Sequence, residues 1–520
     1  MTPSQIMVKP AFIRLTPSDS ARNLESGYNM TSGYTADSGI YDSPCGEVIT
    51  PLDCMREYDC NAHKILSEKY YPDPVSEDKY IDSEGKEQKR FYRRKVARVT
   101  VDLIQMFHTQ RTSILTGSNT DLRMVNKKAT AKERELLSAI REGWEEKNME
   151  NARYELISRA GKTLDAAICG YMVGGRFMWR AFSYESGDTL YEHKDPMTGE
   201  RALIGRHYVS VGMGDTEPTE YLDVWDKTYY MRYRKDKEQA GDENGGWVVD
   251  AKPERHNFPM VPVAYMRYGE TFWGNAIHPV DELEKDLSQL LENNKQYGLR
   301  ILVALGDEMD VKATFDGRPM QINGPADGKV NYLEPADASN SFMTSMRALE
   351  DQAYIAANCV KQAELKSGSD ISSLTVKMLN QPLYRKAILD AFKFQPEIDR
   401  LVEIFKYGYS VEIKMESQLR NFKIKARTYP YVMMSENEEV ANVTALKASG
   451  ALSQQSAAEE AYNLGYGSVD EPERLLQEEH DKLVAESLVK DSEGMTEEEK
   501  GLAGGNKNNP VNEARKALSE

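Results

Sequence analysis

The sequence predicts a mixed α+β fold, mainly helical, and three observations carry that prediction. Amphipathic stripes with spacings of three and four lie on both sides of the segment 307–340. Short β-branched and aromatic runs gather in one block, from Phe177 to Tyr265. Clusters of Gly, Asp, Asn and Pro, such as DENGG at 242–246, separate those runs as hairpin turns would. The 520 residues suffice for two to four domains of roughly 100–200 residues each.

The elements follow in order. Residues 1–59 read as an N-terminal arm, because 1–50 are rich in Ser, Thr, Gly, Asp and Tyr without helical period and offer little core of their own. Helical signals begin near Pro51 and strengthen over Arg90–Leu115. Further helices are expected at Ala131–Glu146 and Arg153–Ala167. The runs RFMWRAFSY, RHYVSVGM, EYLDVWD, TYYMRYRK, GWVVDA and VPVAYMRY then predict a small, mostly antiparallel sheet. Pro279 suits the first turn of a helix whose stripe is Val280, Leu283, Leu287, Leu290, Leu291 and Tyr297; ILVAL at 301–305 ends it at Gly306.

Strand-like pieces VKATF, RPMQI and KVNYL fill 307–340. A second stripe, Met346, Leu349, Ala353, Ala356 and Val360, stops at Lys366–Asp370 (KSGSD). Ile371–Tyr409 is the longest helical stretch, with kinks expected at Pro382 and Pro396, since each proline removes a backbone hydrogen bond and crowds the preceding turn. Residues 410–434 read as strand and loop. Three short helices are expected at Glu436–Ala448, Ser453–Leu464 and Glu471–Leu488, and disorder after 491.

Hydrophobic residues make up 40% of the chain and charged residues 29%, the balance of a soluble protein with a core. Lys and Arg total 66 against 83 Asp and Glu, a formal charge of −17. Tight, sequence-reading nucleic-acid binding is thereby disfavoured, because phosphate neutralisation supplies most of that affinity. A wall past which DNA slides without sticking is not. Five cysteines, Cys45, Cys54, Cys60, Cys169 and Cys359, form no CxxC pair, which predicts reduced thiols and a cytoplasmic setting. Met1–Leu15 lacks the apolar core of a signal peptide, and the longest apolar run, LDAAICGYMVGG at 164–175, is too short to span a membrane.

Catalytic motifs are not evident. Gly161-Lys162-Thr163 ends like a phosphate-binding loop, but Leu156 stands where that loop needs glycine, and the flanks are helical. Gly212-Met213-Gly214 suits a hairpin better than a dinucleotide turn. The seven histidines, 63, 108, 193, 207, 256, 278 and 480, are scattered, without HExxH spacing. No enzyme activity, metal or cofactor is expected. The basic run Lys89–Arg98 (KRFYRRKVAR) fits a charged helix face pairing with carboxylates better than a nucleic-acid patch in so acidic a chain.

The order of several segments resembles the portal proteins of tailed bacteriophages. These segments are YRRKVARVTVDLIQMFHTQRTSILTG (92–117), LDAAICGYMVGGRFMWRAF (164–182), FPMVPVAYMRYGETFWGNAIHPVDELEKDLSQLLENNKQYGLRILVALGD (258–307), KSGSDISSLTVKMLNQPLYRKAILDAFKFQPEIDRLVEIF (366–405) and ALKASGALSQQSAAEEAYNLGYGSVDEPERLLQEEHDKL (445–483). Each alone is amphipathic period plus glycine. Five in sequence, over roughly residues 60–485, are more specific. Thr375 and Val376 depart from the small residues that family often shows.

The resemblance implies a wing at 60–275, stem helices at 276–306 and 341–362, and a clip at 307–340. It further implies a tunnel loop at 363–372, a kinked wing helix with following strands at 373–435, and a crown at 436–490. It implies a ring of about twelve copies at a capsid vertex, assembled in the host cytoplasm. Expected partners are non-specific double-stranded DNA, terminase, the head–tail adaptor, and the capsid and scaffold proteins, with no membrane. Lys366, Ser367, Gly368, Ser369 and Asp370 would meet the DNA as a polar tip, and ring neighbours would cover the amphipathic stripes. Two other classes remain open at this point: a helical interaction scaffold and a packaging ATPase.

Overall fold

A computed structural model describes residues 2–14, 47–81, 87–125, 131–211, 217–236, 246–297, 301–305, 310–313, 319–323, 329–333, 339–361, 378, 380–419, 422–431, 436–450 and 457. The chain divides into two units, one of Met1–Gly368 with Leu379–Tyr431, the other of Ser369–Met378 with Val432–Glu520. The fold is α+β, as the segregated strand and helix signals predict.

In the first unit a three-stranded antiparallel sheet stands between two cores. β6 (Asp165–Val173) pairs with β13 (Val263–Arg267) on one side and β7 (Arg176–Ser183) on the other. Ala166 and Ile168 of β6, with Ala264 and Met266 of β13, face the main helical core. Ala167, Cys169, Val263 and Tyr265 face a second core against a five-stranded sheet. A strand apolar on both faces shows no alternation, which is why LDAAICGYMVGG gave no strand signal. The helix expected to reach Ala167 runs instead over Met149–Thr163. Leu164, at φ 73, breaks it, and sheet pairing takes over.

The five-stranded sheet has the order β12-β11-β10-β9-β8, with β8 Thr189–Lys194, β9 Arg201–Ser210, β10 Thr219–Asp226, β11 Tyr229–Lys235 and β12 Trp247–Arg255. Leu190, Ile204 and Trp225 pack toward the three-stranded sheet. Leu222, Val224 and Trp247 pack on the other face, where Ile6 of the short helix α1 (Pro3–Ile6) covers them. Gly205 makes room, since a Cβ there would stand 2.8 Å from Ile6. The described parts of the arm thus do carry core: Ile6 and Phe12 are buried, and β1 (Phe12–Arg14) pairs with β2 (Glu47–Ile49).

The helical side begins with α2 (Pro51–Tyr58), capped by reciprocal bonds between Thr50 and Asp53. The helix expected from Arg90 starts only at Leu103. Glu87–Arg93 is a strand, β4, paired with β3 (Val75–Ile81), and 94–101 runs without regular secondary structure to the turn at Asp102. Val96, Val99, Thr100 and Val101 are β-branched and lose χ1 freedom in a helix. α3 (Leu103–Thr116), α4 (Ala131–Glu146) and α5 (Met149–Thr163) follow, with β5 (Asp121–Met124) paired to β18 (Ile424–Arg427).

α6 spans Ile277–Tyr297 and ends before Gly306, because the β-branched ILVAL forms β14 (Ile301–Leu305). β15 (Asp310–Ala313) pairs with β16 (Pro319–Asn323), and β14 with β17 (Lys329–Leu333). α7 runs over Ser339–Ala357 and is closed by Asn358 at φ 54. α8 covers Gln381–Glu412, three residues beyond the expected end, and a single turn, α9 (Glu416–Leu419), follows.

In the second unit, α10 (Glu436–Ala448) is as expected, with Gly450 at φ 71 after it. The expected helices Ser453–Leu464 and Glu471–Leu488, and the tail after 491, lie outside the described residues. No helix among the described residues is long and apolar enough to cross a membrane.

Candidate functional site

The amphipathic helices α6 and α7 were expected to leave their stripes for neighbouring copies. They cover each other instead. Val280, Leu283, Leu287 and Leu290 of α6 share one apolar core with Met346, Leu349, Ala353 and Ala356 of α7. Ser345 Oγ donates to Asp286 Oδ2 at 2.5 Å across the pair. The chain leaves α6, forms the β14–β17 and β15–β16 ladders, and returns as α7. Antiparallel return brings the stripes face to face, so the unit is a helical hairpin with a strand-built tip.

Buried polar groups fix the base of this hairpin. Glu284 and Ser288 on α6 are fully buried and take backbone N–H groups of the segment 94–101: Val101 donates to Glu284 Oε1 at 2.9 Å and Val99 to Ser288 Oγ at 3.0 Å. His63 Nδ1 lies 2.6 Å from that same carboxylate oxygen, and its Nε2 lies 2.9 Å from the Glu57 carbonyl. Both ring nitrogens therefore face acceptors, the arrangement of an imidazolium. Burial lowers the His63 pKa, but the bond to Glu284 and its charge outweigh that and raise it. Glu57 in turn accepts both Arg14 nitrogens, at 2.6 and 2.9 Å, and the Trp273 indole N–H at 2.8 Å. A cavity of about 150 Å³ opens beside this junction, lined by Arg14, Glu57, His63, Lys64 and Asp281 among others. Burial pushes the Asp281 carboxyl up, and Lys64 at 3.4 Å offsets part of that.

The long helix α8 is held the same way. Asp390, fully buried, accepts from Arg111 of α3 at 2.5 and 3.1 Å and from the Tyr268 hydroxyl at 2.8 Å. Two turns further, Glu397 accepts both terminal nitrogens of Arg201, at 3.1 and 2.8 Å, and the Tyr265 N–H of edge strand β13 at 3.1 Å. Neither acid was singled out from the sequence. The signal was present: Asp390 falls in the stripe Leu383, Ala387, Phe394, and Glu284 in the stripe Val280, Leu287, where a carboxylate is buried only with partners.

Lys366, Ser367, Gly368, Ser369 and Asp370 lie outside the described residues. Pro382 does not interrupt a helix there; it occupies the first turn of α8, where its missing N–H costs nothing. Pro396 lies inside α8, which continues through it. Gly161-Lys162-Thr163 forms the end of α5, and a Cβ on Gly161 would stand 2.5 Å from the Phe272 ring. Lys162 pairs with Glu185 at 3.1 Å, and the Thr163 hydroxyl bonds backbone carbonyls. Nothing there is arranged to cradle phosphate.

The described histidines are mostly engaged by structural partners. His108 is buried against Ser158, and burial pulls its pKa to about 3. Burial pushes the thiols of Cys54, Cys169 and Cys359 up to about 12. Among the described residues no group of His, Cys, Asp or Glu could hold a metal ion. The basic run is the end of a strand and a segment without regular structure, not a helix face. Its carboxylate pairing nonetheless occurs: Arg98 meets Asp73 at 2.7 Å and Arg94 meets Glu292 at 3.8 Å. Gly212-Met213-Gly214 lies outside the described residues.

A helical hairpin with a strand tip, a long helix laid over a three-stranded sheet, and no assembled catalytic group among the described residues frame the comparison with known families. A family model described as phage portal protein, SPP1 Gp6-like, matches residues 51–482. The chain belongs to that family. It is a portal subunit of a capsid vertex. Similar solved chains come from the neck of an empty GTA particle computed with C6 symmetry (11% identity, 70% of this chain and 90% of that chain, TM-score 0.34). Others come from the virion of a native gene transfer agent particle (11%, 70% and 89%, 0.35) and from the neck of a native GTA particle computed with C12 symmetry (12%, 70% and 90%, 0.34). A search of curated proteins gives no match.

Proposed function

We propose that this portal subunit closes into a ring of about twelve copies and that double-stranded DNA passes through the ring during packaging and ejection. The match to the portal family over residues 51–482 carries the reading. The α6–α7 hairpin supports it: a rod that satisfies its own stripes and ends in a strand-built tip makes a stave of a channel wall, with the tip free for a docking partner. On this reading 276–306 and 341–362 are the stem, 307–340 the clip, 60–275 with 373–435 the wing, and 436–490 the crown. Terminase and later the head–tail adaptor dock at the clip, capsid and scaffold proteins meet the wing, and assembly takes place in the host cytoplasm.

The subunit works by shape and charge and performs no chemical step. With −17 per copy, its wall attracts phosphate weakly, so DNA stays mobile. Lys366–Asp370 is the proposed point of contact with the moving duplex. Negative-stain images and native mass spectrometry of the purified protein test the ring: a closed ring with a central hole is expected, and monomers or open filaments across a broad concentration range would remove it. Steady ATP hydrolysis by the protein alone would overturn the non-enzymatic reading.

A further inference from the structure

The β6–β7 hairpin is anchored by one face. Val173 pairs with Arg176 across Gly174 and Gly175, whose φ values of 57 and 81 suit a two-residue turn. Side chains alternate along each strand, so Phe177, Trp179 and Ala181 share a face with Met172. That face packs on the main core. Phe177 meets the Phe405 ring of α8, and the Trp179 indole N–H donates to the Lys147 carbonyl at 2.9 Å. The opposite face carries Tyr171 and Val173 beside Arg176, Met178 and Arg180. Val173 is 54% exposed and Met178 48%, and both arginines are exposed. Among the described residues, nothing lies within 4 Å of a Cβ built on Gly174 or Gly175.

Toward Phe182 this exposed face runs into the second core, where arginine is already engaged. The Arg206 guanidinium of β9 lies 4.2 Å from the Phe182 ring centroid and 4.0 Å from that of Tyr208. It pairs with the buried Asp188 and Asp223 at 2.7 and 3.4 Å. Arg180 lies 5.8 Å from the Phe182 ring, and Arg176 follows two positions beyond Met178. Neither forms an ion pair with a described carboxylate. The charge of Arg180 reaches Asp188, and that of Arg176 reaches Glu412, only at longer range. In a chain of −17, two guanidinium groups thus stand about 13 Å apart on one strand with Met178 midway.

We propose that this face binds an acidic, extended segment of a separate protein, with carboxylates on Arg176 and Arg180 and an apolar side chain on Met178. A guanidinium fork meets a carboxylate through two parallel N–H···O bonds, which an ammonium cannot make. Alternate residues of an extended segment repeat every ~6.6 Å, so its positions i and i+4 reach both arginines while i+2 lies over Met178. Tyr171 and Val173 widen the apolar area on the neighbouring strand. A phosphate backbone would satisfy the arginines but offer Met178 and Val173 no apolar surface in return. Arginine, tyrosine and methionine are enriched at protein interfaces, and lysine and the acids are depleted. The patch is also small. A subunit interface takes about 800 Å² per partner, and a face about 13 Å long and two strands wide suits one segment better than a second copy of the chain.

The inference rests on the reading of 60–275 as a wing that other vertex proteins meet, yet its test needs no ring. Short random peptides displayed on yeast are selected on the purified full chain, with Arg176→Glu/Arg180→Glu as counter-target. A synthetic peptide from the selected set is then titrated by anisotropy. Peptides with two carboxylates flanking an apolar residue should be enriched. Their Kd should rise at least about tenfold in the double reversal. It should rise about threefold or more in Met178→Ala and in Arg176→Lys/Arg180→Lys, where the charge stays but the fork is lost. Melts should be unchanged, since these side chains lie outside the buried cores. If the reversal lowers the melt, the lysine pair and Met178→Ala carry the comparison. Selection of basic or neutral peptides, or equal Kd values across wild type and variants, overturns the inference. An oligonucleotide bound more tightly than the peptides and lost in the reversal would make the face a nucleic-acid site. Rings that fail to form in the reversal would make it a contact between copies, and either result also overturns the inference. Monomers that select acidic peptides would remove the ring reading and leave this one standing.

Discussion

Gly161 owes its identity to an aromatic ring. A methyl there would press on Phe272 at 2.5 Å in the main core, and α5 could not keep its distance. Gly161→Ala should therefore lower unfolding free energy by about 1–3 kcal/mol in a urea titration. Nucleotide should not change the melt of the wild type or the variant, since the residue packs and does not cradle phosphate. His63 offers a second test. Its pKa is raised above the ordinary value of 6.5. The imidazolium thus contributes stability in full below that value and loses it as pH rises through the raised folded value. The urea midpoint of the wild type should exceed that of His63→Gln in mildly acidic buffer, and the gap should close in alkaline buffer. A gap independent of pH would mean that His63 is neutral in the fold.

At the scale of elements, α8 is fastened by acids of very different standing. Asp390 is fully buried against Arg111, while Glu270 meets Lys386 and Lys393 near solvent. Asp390→Ala leaves a buried guanidinium unpaired and should cost about 3–5 kcal/mol; Lys393→Ala should cost no more than about 1 kcal/mol. Chemical denaturation of the two variants measures the difference.

Such acids mark the limit of what the sequence disclosed. Helices with one wet face were legible: Ala131–Glu146 matches at both ends. The strand runs between 176 and 268 were legible too, because turn residues bound them. β8 was missed, for TLYEHK buries only Leu190. Arg90–Val101 was misread because charge at helical spacing outweighed its β-branched content, and the contacts that hold it come from β3, from Asp73 and, at Val99 and Val101, from α6, almost two hundred residues away. Of the two prolines, only Pro396 lies in the interior of a helix. Proline marks a helix start as readily as a kink, and nothing local distinguishes the two at Pro382.

At the scale of the whole molecule, the three apolar cores found among the described residues all lie in the unit of Met1–Gly368 and Leu379–Tyr431. A chain ending at Tyr431 should accordingly melt within a few degrees of the full chain, a shift of roughly 1 kcal/mol or less. A collapse of the melt would make the C-terminal unit part of the fold. The net charge of −17 sets a further expectation for the proposed ring: its duplex binding should be weak, indifferent to sequence and sharply reduced by salt. Tight binding of one particular duplex in anisotropy measurements would contradict it.

The pairing of β5 with β18 has a consequence in time. Met124 lies opposite Ile424 in the ladder, 424 − 124 = 300 residues apart. A ribosome adding about 5–20 residues per second needs roughly 15–60 s to cover that distance. Throughout that interval the nascent β5 has an unfilled edge, and the helices α3 to α5 lack α8, the helix that buries Arg111 and closes the core. The subunit can finish folding only when synthesis is nearly complete. An early ribosome stall, even one beyond the whole of the α6–α7 hairpin, would leave a sticky intermediate in place of a shorter folded protein.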